Sequence, residues 1–173
     1  DNAGGVDSSD HEVNLKILLD REVASQDLTG KQRNKLLASM TDEVATLVLR
    51  HNKLQSQILS ICDMQSSSRV NDHIRLIHTL EQEGRLKRKL EFLPNDEQLE
   101  ELIRSGDGLS RPEIAVLMAY SKLRLFDQLI HNHIGDDPDL SAELPGYFPA
   151  PIRQQYAQSL QQHPLRNELI ATH

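Results

Sequence analysis

Tryptophan is absent from the 173 residues of this chain, and three Phe and three Tyr bring the aromatic content to only 3%. A packed core must therefore be aliphatic, with Leu and Ile dominant. Cysteine occurs once, at Cys62, which excludes an internal disulfide framework and a thiolate metal cluster and fits a reducing cytoplasm. No apolar run approaches the length needed to cross a bilayer, and the N-terminus has neither the charged start nor the apolar core of a signal peptide. The expectation is a soluble, cytoplasmic chain with no membrane partner. Positive charge is also short, since 19 Lys and Arg against 26 Asp and Glu leave a formal net charge of -7. That balance argues against a general phosphate-binding surface, so DNA and RNA are not expected partners. The one basic cluster, Arg85-Leu86-Lys87-Arg88-Lys89, is flanked by Glu81, Glu83 and Glu91 and reads as a solvated helix face. Strand alternation and hairpin signals are missing as well.

What is present is helical periodicity. Ser9 and Glu12 form an S-x-x-E capping box ahead of Val13, Ile17 and Leu18, predicting a helix over residues 10–24. Thr29 and Gly30 break the pattern before a short helix through Leu36, Leu37 and Met40. Thr41 or Asp42 caps a longer one, whose face carries Val44, Leu47, Val48, His51, Leu54, Ile58 and Ile61. The turn Ser66-Ser67-Ser68 leads to Val70, Ile74, Ile77 and Leu80, and Gly84 either ends that helix or is followed by its continuation toward Leu90 and Phe92. Asn95 or Asp96 caps a helix through Leu99, Leu102 and Ile103 that Gly106 stops. A second S-x-x-E box at Ser110-Arg111-Pro112-Glu113 opens a helix to Ile134, ended by Gly135 and Pro138. From Pro138 to Pro151, four prolines predict an ordered surface loop anchored by Tyr147 and Phe148. One helix holding Ile152, Tyr156 and Leu160 follows, and Pro164 opens another with Leu169 and Ile170. The expected fold is all-α, an irregular antiparallel helical bundle with short connections.

Asn2-Ala3-Gly4-Gly5-Val6-Asp7-Ser8-Ser9 is the segment richest in chemical potential. Two glycines permit close approach of backbone to a ligand, and hydroxyl and N–H donors beside a helix start suit a carboxylate or a polar cofactor. The alternative is a plain glycine turn with Ser9 as a cap, which by spacing alone is the stronger reading.

The same residues resemble the N-A-G-G-V-x-x-S segment of glutamate dehydrogenases. The continuation Asp10-His11-Glu12-Val13-Asn14-Leu15-Lys16-Ile17-Leu18-Leu19 is similar to the large bacterial NAD-specific glutamate dehydrogenase family. Further likeness to that family lies in Phe92-Leu93-Pro94-Asn95-Asp96, in the stretch from Leu109 to Lys122 and in His163-Pro164-Leu165-Arg166-Asn167-Glu168-Leu169-Ile170-Ala171-Thr172. The resemblance implies reversible oxidative deamination of L-glutamate to 2-oxoglutarate and ammonia with NAD in a full-length enzyme, of which this chain is a C-terminal piece. It implies that residues 1–65 finish the catalytic region and residues 66–173 form a helical C-terminal domain, cut at its end. For substrate binding it points to Val6 packing on the glutamate side chain, Ser9 bonding its distal carboxylate, and Asn2 where the α-amino acid group meets the nicotinamide ribose. Asn2 is thus also the cofactor-binding expectation. The family's proton-transferring lysine and aspartate have no matching motif here, so no catalytic residue is expected in the fragment and it alone should be inactive. Asp7, Ser8 and His11 depart from the hydrophobic or aromatic residues of the small hexameric relatives. Upstream domains of the same polypeptide are expected partners, with a homo-oligomer in full length. A competing reading makes the helical region an interaction or oligomerisation module without chemistry of its own.

Other motifs carry less. Gly106-Asp107-Gly108 follows a helix rather than a strand, so it reads as an inter-helix loop and the main NAD-binding unit is expected outside this chain. His131-Asn132-His133 with Asp136 and Asp137 reads as a helix end, and His73 and His78 miss the i, i+4 spacing of helical zinc ligands. No metal is assigned. His51 reads as a hydrogen-bonded core histidine and Cys62 as a structural thiol.

Overall fold

The computed structural model describes residues 2–132 and 137–172, the first three of these by backbone alone. It is all-helical, with eleven helices and no strand among the described residues. These are α1 (Asn2–Ala24), α2 (Gly30–Ser39), α3 (Thr41–Met64), α4 (Val70–Gln82), α5 (Asp96–Ser105), α6 (Arg111–His131), α7 (Pro138–Ser141), α8 (Leu144–Tyr147), α9 (Ala150–Gln155), α10 (Ala157–Gln161) and α11 (Arg166–Thr172). Two compact units contain them. Unit 1 combines Asp1–Lys53 with Gln128–His173, and unit 2 is Leu54–Asp127.

Unit 1 buries Leu15, Leu18 and Leu19 of α1 with Met40, Leu144, Tyr147, Phe148, Ile152, Leu160, Leu169 and Ile170. Each fully buried large apolar side chain contributes about 1.5–3 kcal/mol. Residues from both ends of the sequence therefore share one core. Glu43 reinforces the join, since its Oε1 accepts the Ala150 N–H at 2.8 Å. The core is aliphatic as composition demands, but its largest fully buried side chain is Phe148.

Unit 2 packs Ile77, Leu80, Leu86, Leu93, Leu99, Leu109, Ile114 and Leu117. Its helix ends follow local rules. Gly84 adopts φ 69° past the end of α4, with the Leu86 N–H closing on the Leu80 carbonyl at 3.1 Å, so the chain leaves the helix there and does not run on toward Leu90. Asn95 caps α5 through a reciprocal capping box with Gln98, and Gly106 ends it in the left-handed region. Glu113 accepts the Ser110 N–H at 2.6 Å at the start of α6.

Four expectations are corrected. Helix α1 does not begin at Ser9: it runs through the glycine pair from Asn2, so the Ser9 box is not a cap, and Glu12 pairs with Lys16 at 2.6 Å instead. Helical glycine costs about 1 kcal/mol relative to alanine, a deficit that the buried face of the same helix offsets. The stretch from Pro138 to Pro151 is not a surface loop. It forms α7, α8 and the start of α9, with prolines in first turns and Asp137 accepting the Asp139 and Leu140 N–H groups, while Leu144, Tyr147 and Phe148 are buried. The single helix expected over Ile152 to Leu160 is broken at Tyr156, whose φ of -124° lies outside the helical region, so α9 and α10 are separate. Lastly, α11 begins at Arg166, two residues after Pro164. Ile134 and Gly135, expected at the end of α6, lie outside the described residues.

Candidate substrate-binding wall on helix α1

The 100° step of an α-helix places Val6, Ser9 and Val13 within an arc of about 60° on one face of α1. That face is open: Val6 is 66% exposed and Val13 52%. Together with Gly5 and Asp10 they line a shallow, open depression. The opposite face carries His11, Asn14, Leu15, Leu18 and Leu19, all buried in unit 1. Asp10 stands at the border between the two.

The interior side of this border is a polar cluster. Tyr147 Oη donates to Asp10 Oδ2 at 2.6 Å and accepts from Asn14 Nδ2 at 3.0 Å. The ring lies stacked on His11 with centroids 4.2 Å apart, and it meets Phe148 edge-on at 5.0 Å. Burial pushes the phenol's pKa well above its ordinary value, and the bond to the Asp10 carboxylate raises it further. The hydroxyl is therefore a proton donor at any working pH. Asn14 Nδ2 also donates to the Asp10 carbonyl at 3.0 Å, and the Asn14 carbonyl lies 3.2 Å from His163 Nε2. Because Leu165 N–H donates to His163 Nδ1 at 3.1 Å, that nitrogen is unprotonated and Nε2 carries the hydrogen given to Asn14. Burial lowers the His163 pKa, in agreement with a neutral ring. His51, half-buried on α3, has its ring 6.1 Å from that of His11, and Asn52 reaches Asp7 at 3.4 Å.

Of the residues singled out in the sequence, Val6 and Ser9 are brought onto one exposed face, whereas the side chain of Asn2 lies outside the described residues. The rationale of an anion held at a helix start does not apply to Ser9. Its backbone N–H and those around it are inside α1 and engaged in the helix, which leaves the hydroxyl as the donor it can offer. Asp10, Asn14, Tyr147 and His163 were not singled out as site residues. The one available signal was the expectation that Tyr147 anchors its segment, because a pairing across 137 residues has no local signature.

In unit 2 the lone G-x-G is an inter-helix loop. Gly106 ends α5, and a Cβ at Gly108 would overlap the backbone of Ser66 and Ser67. Buried Ser66 donates its Oγ hydrogen to the Leu109 carbonyl at 2.7 Å. Backbone, not a nucleotide, occupies the space that glycine leaves. His78 lies 3.6 Å from Asp96, Cys62 packs at the edge of the unit 2 core, and burial lowers the His73 pKa. Among the described residues no three His, Cys, Asp or Glu side chains converge as metal ligands. His133 and Asp136 lie outside them. No described helix is long and apolar enough to cross a membrane.

Comparison with known proteins bears directly on this segment. A family model described as "Bacterial NAD-glutamate dehydrogenase, catalytic domain" matches residues 1–62, and one described as "Glutamate dehydrogenase, C-terminal" matches residues 106–173. The NAD-specific glutamate dehydrogenase of Pseudomonas aeruginosa is 45% identical over 172 residues, 99% of the chain. The chain belongs to the large bacterial NAD-specific glutamate dehydrogenase family. Proteins of the same description from Halomonas elongata and Mycobacterium tuberculosis are 44% and 38% identical over the same length. The chain spans 11% of the length of each of these relatives.

Proposed function

We propose that this chain supplies one wall of the glutamate site in an enzyme that oxidatively deaminates L-glutamate to 2-oxoglutarate and ammonia with NAD. The observation that carries the reading is the exposed face of α1, where Val6, Ser9 and Val13 lie together in a segment matched by the catalytic-domain family model. Val6 packs against the substrate's methylenes, and the Ser9 hydroxyl donates to its distal carboxylate. Asn2 lies toward the substrate's α-amino acid group and the nicotinamide ribose. The contribution is alignment, holding the α-carbon for hydride transfer, and the proton-transferring groups come from elsewhere in the polypeptide. In the same reading the main NAD-binding unit belongs elsewhere in the polypeptide.

In this proposal residues 1–65 complete the catalytic region, residues 66–173 form a helical C-terminal domain, and the chain alone is inactive. A soluble, cytoplasmic homo-oligomer in full length belongs to the same reading. The test is the full-length enzyme carrying Ser9→Ala or Val6→Asp, in this numbering. Each is expected to raise the KM for glutamate by roughly tenfold or more while the KM for NAD stays put, since a hydrogen bond to a charged group is worth about 1.5–3 kcal/mol. Unchanged glutamate kinetics in both variants would remove the site assignment.

One observation favours a second reading. Leu54, Ile58 and Ile61 stand at helical spacing along α3 and are about half exposed, as an interaction module's docking stripe would be. Self-association of the purified chain without saturable glutamate binding would favour that reading.

A further inference from the structure

We infer that Tyr147 is a positioning residue for the substrate wall: its phenol sets the rotation of α1 about its own axis, and so the direction in which Val6 and Ser9 point. The inference rests on the wall proposed above.

Apolar burial holds α1 against unit 1, but it is non-directional, and Leu15, Leu18 and Leu19 would tolerate a small roll of the helix. Hydrogen bonds do not tolerate it, because they weaken steeply with misalignment. Tyr147 supplies two such directional bonds beside Ser9. Its ring is 4% exposed and clamped between His11 and Phe148, so its hydroxyl has a fixed position. From there it bonds two side chains of α1 one helical turn apart, Asp10 at the border and Asn14 on the buried side. A third directional bond, from His163 to the Asn14 carbonyl, reaches the same point of the helix from residues that follow α10. Asp10 is next to Ser9 in the chain and itself lines the depression. Any shift of Asp10 therefore reaches the Ser9 hydroxyl through a single peptide unit.

Tyr147→Phe keeps the ring and its packing and removes the hydroxyl alone. In the full-length enzyme it is expected to raise the KM for glutamate by roughly tenfold, the scale of a sub-ångström misplacement, with the KM for NAD unchanged. The measurement is a double-mutant cycle with Ser9→Ala. If Tyr147 acts by aiming that hydroxyl, Tyr147→Phe adds little once the hydroxyl is gone, and the two effects are non-additive.

An additive pair, or a general loss of kcat with both KM values raised, would refute positioning in favour of plain structural damage. Glutamate KM unmoved by Tyr147→Phe but raised by Ser9→Ala would refute it while leaving the wall intact. No effect of either Ser9→Ala or Val6→Asp would instead remove the wall, and the inference with it. Should Tyr147→Phe fail to fold, Asn14→Leu removes the second arm while keeping the same branched heavy-atom shape and is expected to give the same split between the two KM values and the same non-additivity with Ser9→Ala.

Discussion

Replacing Gly108 by alanine puts a methyl group where the backbone of Ser66 and Ser67 already lies. Two of the three nearest atoms are main chain in a turn and the third is Ser66 Oγ, itself held in a buried hydrogen bond, so relief requires moving the Ser66 turn. Overpacking of this kind costs typically about 1–3 kcal/mol. The buried bond from Ser66 Oγ to the Leu109 carbonyl spans the same closure and is strained or lost with it, adding about 1 kcal/mol. The expected destabilisation is therefore about 2–4 kcal/mol. Gly5→Ala is the internal control. Its added methyl meets nothing within 4 Å on helix α1, so the propensity gain should stabilise by about 0.5–1 kcal/mol. Urea denaturation of the purified chain, followed by far-UV circular dichroism, reads both. A Gly108→Ala variant within about 0.5 kcal/mol of the parent would show that the close approach does not exist and that the reasoning about the loop is wrong. The result also bears on chemistry, because a glycine required by its own backbone neighbours needs no nucleotide to explain it.

Two further outcomes are expected. Burial lowers the His163 pKa and the Leu165 N–H occupies its Nδ1, with the bond to the Asn14 carbonyl and Glu168 favouring protonation and Arg21 opposing it. As pH falls through about 6.5 the unfolded chain binds a proton that the folded chain refuses. Its contribution to stability is therefore complete above that pH, declines as pH drops toward the lowered folded pKa, and falls no further below it. Thermal melts between pH 7 and 5 should show a steeper loss for the parent than for His163→Gln, and parallel curves would contradict the assignment. Phe92 is 89% exposed with φ 54°, a left-handed conformation that costs a bulky residue about 1–2 kcal/mol. Phe92→Gly should relieve that cost without losing burial, and a lower urea midpoint would argue against it.

How much of this was legible in the sequence depended on how local the cause was. Asn95 with Gln98, Gly106 and Gly84 act over a few residues, and the chain obeys them. Thr29 with Gln32 is a capping box of the same kind, beside the helix-breaking signal of Gly30. Ser9 with Glu12 has the right spelling and is not a cap. Nothing in eight residues could announce that the interior face of α1 finds enough partners to carry the helix back across Gly4 and Gly5. Tyr156 likewise sits on a helical pattern that tertiary packing interrupts. Tyr147 was expected to anchor its segment and does, but its particular partners, Asp10 and Asn14, lie beyond any sequence window.

The sequence by itself determined the all-helical class, the helix ends between Thr29 and Ser110 and the family, because periodicity, capping residues and a run of shared motifs are written in neighbouring positions. It also placed Val6 and Ser9 three residues apart, which any helix turns into one face. Only the tertiary structure decided where α1 begins, that its exposed side is the one bearing those residues, and that a tyrosine from the other end of the chain holds it there. The reason is physical. A cap is settled by bonds to residues within a turn, whereas the direction a helix face takes is settled by what the opposite face is buried against.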